Sequence, residues 1–366
     1  MPLFPTAPVR LQPYFGHRNE THLYMKARAL RSAKSSFDGG GRWQAMRTML
    51  AQFLSHEVAG MEARLEVERA DGSSIEVPGT TDKEGFVTFE IALDDPLPLP
   101  ENTSWEVVTL HWSNGDGDQC IEGHVLAPGR SASLAVISDI DDTIIETGIT
   151  GNLRSVARNW RRVLAQMPDE RLAVPGADVF YSSLGGGRVL AEGETHTGDR
   201  IRAFHRPFFY VSSSPWNLFS YLVAFKRQRE MPLGPVFLRD WGLDRSTFGS
   251  SSHGSHKTDA IRRILADYPS LRFAMIGDDT QGDLTAFGEI VQEHANRIAA
   301  VFIRKAAGPF SPEEVAAKAA IEEAGVPLWL GESYDLGQDF LKNVGLSADG
   351  ATSKIVEAVE KGDEAA

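Results

Sequence analysis

Four short polar segments of this chain carry residue types that could hold a metal ion and a phosphate group together. The first follows the apolar run Leu134–Ser138 and contains Asp139, Asp141 and Asp142, with Thr143 directly behind them. Carboxylates packed this densely repel one another unless a cation or bound protons offset their charge. Mg²⁺ would do so, because it prefers oxygen ligands and needs only one or two carboxylates beside phosphate and water. A solvated acidic turn is the alternative for this segment taken alone.

The second segment follows the apolar run 208–211 and begins with Ser212 and Ser213, shortly before Pro215. Serine ahead of proline is typical of a helix start, with proline at the first helical position. A hydroxyl and free backbone N–H groups at a helix N-terminus form a phosphate site. Plain helix capping would explain the same residues.

The third segment is Lys257, which opens an amphipathic pattern that predicts a helix over 257–268. The helix macrodipole opposes a cation at this end, so we expect an anion close to the ammonium group. His253 and His256, beside it, are interpreted as loop residues. A solvated lysine is the alternative.

The fourth segment follows the apolar run 273–276 and contains Gly277, Asp278 and Asp279, with Asp283 further along. Glycine permits close backbone approach, and a carboxylate here could complete a metal site with those of the first segment. Asp283 could hold a coordinated water or orient Lys257. It could equally cap the helix predicted over 284–294.

All four segments come at the ends of predicted strands, and those strands alternate with helices from Leu134 onward. This alternation predicts an α/β fold class with a doubly wound parallel sheet. Open sheets of this kind bind their ligands beyond the carboxyl ends of the strands. The predicted strands are 134–138, 208–211, 236–238, 273–276, 298–303 and 327–330, and the predicted helices are 215–229, 257–268, 284–294 and 313–324.

The first 130 residues follow a different pattern, with short strands separated by turn residues. Regularly spaced strands favour a small antiparallel β-sandwich of unknown role. The predicted elements are strands over 21–30, 62–69, 74–77, 86–92 and 105–112, and a helix over 43–56. We therefore expect a β domain over 1–130, an α/β domain over 131–347 and a polar tail over 348–366.

Bulk composition narrows the partners and the location of the chain. The 366 residues carry a net charge of −13, which argues against a nucleic-acid partner. The single cysteine, Cys120, excludes an intrachain disulfide, favours a reducing compartment and is expected to be at least half-buried. No apolar run reaches the roughly 20 residues that span a bilayer, and the N-terminus does not look like a secretory signal. We expect a cytoplasmic protein, and peripheral contact with a membrane stays open.

The order of these motifs resembles that of the haloacid dehalogenase superfamily, and aspartate at the second acidic position is the pattern of its phosphatases. The matching residues are Asp139, Asp141 and Thr143 (DxDxT), Ser212, Lys257, and Gly277, Asp278 and Asp283 (GDxxxxD). The resemblance implies the fold of that superfamily, with a small cap insertion in this chain.

A closer resemblance links the chain to the catalytic domain of the actin-patch-protein type of phosphatidate phosphatase. It spans roughly Leu134 to Leu341 and, more faintly, the N-terminal β domain, and its matching segments are 138–144, 208–218 and 238–242. The chain has Asp279-Thr280 where this family leads us to expect serine and glycine. Whether Asp278 or Asp279 contacts the metal therefore stays open.

These resemblances imply a Mg²⁺-dependent phosphomonoester hydrolase whose substrate is a phosphatidate. Asp139 would attack phosphorus and form an aspartyl-phosphate, and Asp141 would act as general acid and then base. Ser212, Ser213 and Lys257 would bind the phosphate, with Thr143 and Asp283 in support. The expected metal ligands are Asp139, Asp141, Asp278 and Asp279.

The spacing of the motifs also bears on the substrate. Only a helix, a strand and a loop fit between Ser212 and Lys257, so no large cap is expected there. The insertion between Thr143 and Phe208 is modest, and a basic helix in it either meets an anionic surface or is simply solvated: Arg154, Arg158, Arg161 and Arg162. An open site suits a lipid head group or a phosphoprotein.

Two other classes of protein share parts of this pattern. A signalling receiver domain uses similar residues, but its lysine comes last, whereas Asp278 follows Lys257 here. A membrane-docking or scaffold protein with an inert phosphatase domain is the other alternative, and the complete motif set argues against it.

Overall fold

The computed structural model describes residues 8–31, 56–69, 71–140, 174, 176–189, 201, 203–212, 216–238, 253–306, 308–334 and 337–346. Nine strands in the N-terminal part form one hydrogen-bonded sheet. They are β1 Val9–Pro13, β2 Gly16–Arg18, β3 His22–Arg31, β4 His56–Glu57, β5 Glu62–Glu68, β6 Ser74–Thr80, β7 Phe86–Ala92, β8 Ser104–Asn114 and β9 Gly117–Ala127. The order is β1-β3-β2-β9-β8-β5-β6, and β4 and β7 also pair with β3.

Alternation of side chains explains these strands. In β5 and β7, inward positions are buried while the residues between them face outward, as a sheet with one covered face requires. All these pairs are antiparallel except β2 with β9. The prediction of a sandwich is not confirmed, because the nine strands belong to a single sheet.

Two expectations for this part of the chain are wrong. His56 was assigned to the end of a helix but pairs with Arg31 in β4; residues 43–55 of that predicted helix lie outside the described residues. Cys120 is exposed, because it lies on the outward side of β9.

The second sheet has six parallel strands and follows from residue 134. They are β10 Leu134–Ser138, β13 Phe208–Ser212, β14 Val236–Leu238, β15 Arg272–Asp278, β16 Ile298–Arg304 and β17 Leu328–Gly331, and a separate hairpin holds β11 Arg188–Val189 and β12 Ala203–Phe204. The order β14-β13-β10-β15-β16-β17 places the first strand in the middle, so the chain winds outward first to one side and then to the other. The predicted α/β class with a parallel sheet is confirmed.

Helices cover both faces of this sheet. They are α1 Ala177–Leu184, α2 Phe219–Gln228, α3 His253–Asp267, α4 Asp283–His294, α5 Pro312–Glu323 and α6 Gly337–Asn343. Successive side chains of β10 point to opposite faces of the sheet, and each face is covered by its own helices. Val136 packs with α1 and α2, whereas Ile137 packs with α3 and α4. The expected helix 215–229 is shorter as an α-helix, because a 3₁₀ turn, Trp216–Leu218, precedes α2.

The two sheets share packed side chains. Tyr14 lies with its ring centroid 4.4 Å from that of Trp216 and 4.8 Å from that of Phe219. The ring Nδ1 of His17 lies 3.0 Å from the hydroxyl oxygen of Tyr268. Burial lowers the pKa of His17 to about 3, so its imidazole is neutral. Among the described residues, no helix is long and apolar enough to cross a bilayer.

Candidate active site

A buried polar residue lies at the carboxyl end of each of three neighbouring parallel strands. Ser212 is the last residue of β13, Asp139 follows β10 and Asp278 ends β15. Their exposed fractions are 0%, 2% and 0%. Because β13, β10 and β15 are adjacent and parallel, these residues meet at one edge of the sheet, beside the point where the strand order reverses.

A cluster of three carboxylates occupies this edge. Asp139, Asp278 and Asp283 each offer an oxygen, and these oxygens lie within 4.8 Å of one another. The backbone N–H of Asp278 donates to Oδ2 of Asp283 at 3.1 Å, which ties the end of β15 to the start of α4. Gly282 occupies the cap position of α4, so Asp283 serves this cluster rather than the cap.

Lys257 of α3 enters the cluster from the side. Its Nζ lies 2.9 Å from Oδ1 of Asp139 and donates a hydrogen bond to Asp283. Burial by itself would lower the pKa of this lysine, but the charges of Asp139, Asp283 and Asp278 outweigh burial and raise the pKa above its usual value. The anion that the sequence predicts beside Lys257 is therefore carboxylate.

The charges of the cluster do not balance. Among the described residues, three buried carboxylates face one ammonium group. Buried charge is costly unless it is paired or coordinates a metal. Closely grouped hard oxygen donors are what Mg²⁺ prefers. The donor set therefore fits a divalent cation, which Asp139 and Asp278 would hold, with Asp283 beside them.

Gly277 makes the cluster possible sterically. A Cβ atom at this position would lie 2.6 Å from Cβ of Asp283 and 2.7 Å from its Oδ2. Real Cβ atoms essentially never approach other atoms so closely. The backbone approach that the sequence predicts at Gly277 is thus present, and Asp283 is the residue that needs it.

The two neighbouring aspartates at the end of β15 have different surroundings. Asp278 accepts hydrogen bonds at 2.6 Å from both the N–H and the hydroxyl of Thr280. Burial and the charge of Asp283 raise its pKa, and Lys257 offsets this only in part. Asp279 instead accepts from the N–H of Ala306 at 2.6 Å, and among the described residues it lies outside the acidic cluster.

Side chains without a sequence motif hold Asp139 in place. Its N–H donates to the carbonyl of Ile276 at 2.8 Å, and the Ser138 hydroxyl donates to the carbonyl of Asp139 at 2.6 Å. The hydroxyl of Tyr181 in α1 lies 2.7 Å from the Ser138 hydroxyl. Ser138, a polar residue in an apolar strand, could have been recognised from the sequence, whereas nothing around Tyr181 singles it out.

The remaining predicted residues have mixed outcomes. Asp141, Thr143 and Ser213 lie outside the described residues, as does the basic helix of the insertion. The prediction that Ser212 follows its strand is wrong. Ser212 is the last residue of β13 and pairs with Leu238 of β14. Lys257 is not the first helical residue either, because α3 begins at His253 and takes in both neighbouring histidines.

The chain is similar to several known proteins. Residues 134–305 match the family model described as "Phosphatidate phosphatase APP1, catalytic domain". The chain is 26% identical over 313 residues to phosphatidate phosphatase APP1 of Saccharomyces cerevisiae, covering 82% of this chain and 48% of that protein. It is 22% identical over 235 residues to the uncharacterized protein C29B5.04c of Schizosaccharomyces pombe, covering 63% of this chain and 34% of that one.

The chain thus spans about half the length of the first relative and a third of the second. Among solved structures, a beta-glucuronidase of Bifidobacterium dentium covers 89% of this chain and 60% of its own, with 10% identity and a TM-score of 0.24. A similarity that low says nothing about the fold. The family model covers every strand end of the acidic cluster. Residues 134–305 are therefore similar to the catalytic domain of APP1-type phosphatidate phosphatases.

Proposed function

We propose that this chain is a Mg²⁺-dependent phosphatidate phosphatase, which releases diacylglycerol and phosphate. The observation that carries the proposal is the buried cluster of Asp139, Lys257, Asp278 and Asp283, which lies within the matched segment 134–305. The name of the yeast relative supports phosphatidate as the substrate. The motif order supports a catalytic domain of the haloacid dehalogenase type.

Asp139 is the nucleophile of the proposed reaction. Its carboxylate attacks phosphorus in line with the leaving oxygen and forms an aspartyl-phosphate, which water then hydrolyses. Covalent attack needs a carboxylate in a defined position, since misplacement of about 1 Å can cost about 100-fold in rate. The hydrogen bonds from Ser138 and to Ile276, and the contact with Lys257, supply that definition.

Lys257 is proposed to offset the negative charge of two carboxylates and that of the transferring phosphoryl group. An ammonium group has three N–H donors, and two carboxylates among the described residues bind this one. It therefore has a donor left for an oxygen of the transferring phosphoryl group, where a fixed positive charge stabilises the transition state. Mg²⁺ held by Asp139 and Asp278 would add positive charge at the same place.

Asp141 is proposed to protonate the leaving alkoxide and then to deprotonate the attacking water. Its position two residues after Asp139 in the DxDxT motif supports this role. Acid and base help of this kind typically contributes about 10²–10⁴-fold to the rate.

A substrate panel tests the proposal. Purified full-length chain is assayed with phosphatidate, lysophosphatidate, a phosphopeptide and an aryl phosphate, each with Mg²⁺ and with excess chelator. We expect Mg²⁺-dependent phosphate release, highest for phosphatidate. Preference for the phosphopeptide would replace the lipid with a phosphoprotein substrate, and no Mg²⁺-dependent release from any compound would show an inert domain.

A further inference from the structure

A cavity of about 340 Å³ lies between the N-terminal sheet and the parallel sheet. Its volume falls in the range of about 300–1,000 Å³ in which proteins bind small ligands. Both sheets contribute apolar or aromatic walls, with Tyr14 and Tyr24 on one side and Trp216, Phe237 and Leu238 on the other. Neither part of the molecule forms this cavity alone.

One end of the cavity adjoins the candidate active site. Leu238, in its wall, lies opposite Ser212 in the register of the β13–β14 pair. His256, also in the wall, directly precedes Lys257 in α3. A molecule whose phosphate lies at the acidic cluster therefore has an apolar space next to it.

Three charged side chains, Lys26, Arg263 and Asp259, stand among the apolar walls of the cavity. Lys26 is half-buried, and its Nζ lies 4.9 Å from the ring centroid of Trp216. Arg263 lies on the opposite wall, stacked at 4.5 Å over Tyr24. Arg263 also pairs with Glu90 at 3.2 Å, and Asp259 pairs with Arg262 at 3.2 Å, so neighbouring groups offset both of these charges.

We propose that this cavity receives an acyl chain of the lipid substrate while the phosphate is held at Asp139 and Lys257. This inference rests on the proposed phosphatidate phosphatase function and gives the N-terminal sheet a part in it. The chain lies along the aromatic walls, and Lys26 faces the polar ester end. Each buried methylene adds about fourfold to affinity or to kcat/KM.

Chain length and a blocking variant test the proposal together. Thr88 is exposed on β7 at the cavity wall, so Thr88→Trp narrows the cavity from outside the packed core. Thr80→Trp is the matched control, because Thr80 is likewise exposed on a strand and lines a different groove of the same sheet. Each protein is assayed with dibutyryl and dioctanoyl phosphatidate, both presented as monomers.

The quantity compared is the ratio of kcat/KM for the longer lipid to that for the shorter one. We expect a ratio above about tenfold in the wild type and in Thr80→Trp, and a ratio near one in Thr88→Trp. An unchanged ratio in Thr88→Trp, or an equal loss in both variants, would overturn the proposal. No turnover of either lipid by the wild type contradicts the proposed function itself, whereas turnover without chain-length preference contradicts only the cavity.

A binding measurement covers the case in which Thr88→Trp does not fold. Dioctanoylglycerol, which carries no phosphate, is titrated into the wild-type protein while tryptophan emission is recorded. We expect a change in emission that is lost in Trp216→Phe, since Trp216 lines the cavity. The same change in both proteins, or none in either, would place the lipid elsewhere.

Discussion

Two lysines of this protein are equally buried and have opposite surroundings. Lys257 and Lys226 are each 1% exposed. Lys257 contacts two carboxylates, and its pKa is raised. Lys226, in the last turn of α2, has its Nζ 3.4 Å from the ring centroid of Tyr210, and no hydrogen-bond partner for it is found among the described residues. Burial lowers its pKa to about 7.

The charge of Lys257 is stabilised by carboxylates, whereas burial disfavours the charge of Lys226. At the carboxyl ends of the strands, carboxylates outnumber the one ammonium group among the described residues, and this donor set fits the proposed cation. On the α2 side of the sheet, an aromatic face and the helix C-terminus are what favours the charge of the amine within the part of the chain that the structure describes. Substitutions at the two places should therefore have opposite effects.

The largest effect is expected from Asp139→Asn. The amide keeps the shape of the side chain but cannot form the covalent intermediate, so turnover should fall by at least about 10⁴-fold. Phosphate release is measured beside far-ultraviolet circular dichroism, which should not change. Wild-type turnover in this variant would remove Asp139 from the role of nucleophile.

Lys257→Met should damage both activity and stability. The transition state loses a fixed positive charge, which costs about 10²–10³-fold in kcat. Three carboxylates lose their buried counter-charge, and the free energy of unfolding in the absence of Mg²⁺ should drop by about 3–5 kcal/mol. Urea unfolding measures this drop, and added Mg²⁺ should recover part of it. Equal stability of variant and wild type without the metal would contradict the charge comparison.

Lys226→Met should do the reverse and stabilise the protein by about 1–4 kcal/mol at pH 7 or below, because a buried amine is replaced by an apolar group. Between the folded pKa of about 7 and the ordinary value of 10.5, the unfolded chain binds the proton and the folded chain does not. Wild-type stability therefore rises with pH in this window, and the advantage of the variant shrinks. Urea unfolding at pH 6.5 and pH 9 measures both, and a constant advantage would contradict the assignment.

Gly277→Ala keeps Lys257 but displaces its partner Asp283, and so tests whether their contact matters by itself. The overlap with the Asp283 side chain should cost about 1–3 kcal/mol of stability and lower kcat. Gly115→Ala is the control, since a Cβ atom there meets nothing within 4 Å and stability should change by less than about 0.5 kcal/mol. Similar losses in the two variants would attribute the effect to glycine removal in general.

Apolar runs bounded by polar residues made the parallel sheet readable from the sequence. Leu134–Ser138 and Val236–Leu238 have the predicted bounds, as does Phe86–Ala92 in the N-terminal sheet. The contacts of Asp139 with Lys257 and Asp283 could not be read in this way, because they depend on how α3 and α4 pack beside the strand ends. Motif order indicated that these residues work together but not which atoms meet.

Other elements were missed for identifiable reasons. Strand β9 is rich in glycine and charge, with Gly117, Asp118 and Glu122, and it forms only because it pairs along its length with β8. Helix α1 has no counterpart among the predicted elements, and its burial of Phe180 and Tyr181 against the sheet was not apparent from the sequence. In both cases contacts with distant residues determine the secondary structure, because the local sequence does not favour it strongly.

The central place of β10 has a consequence for synthesis of the protein. Asp139 is the first residue of the acidic cluster to leave the ribosome, yet β15 on one side of β10 is complete only at Asp278. At about 5–20 residues per second, that interval lasts roughly 7–28 s. Through this time the strand Leu134–Ser138 lacks its second neighbour and its helix layer is incomplete, so nascent chains expose an apolar segment that chaperones would shield. The acidic cluster is therefore complete only late in synthesis, when Asp278 and Asp283 have been added.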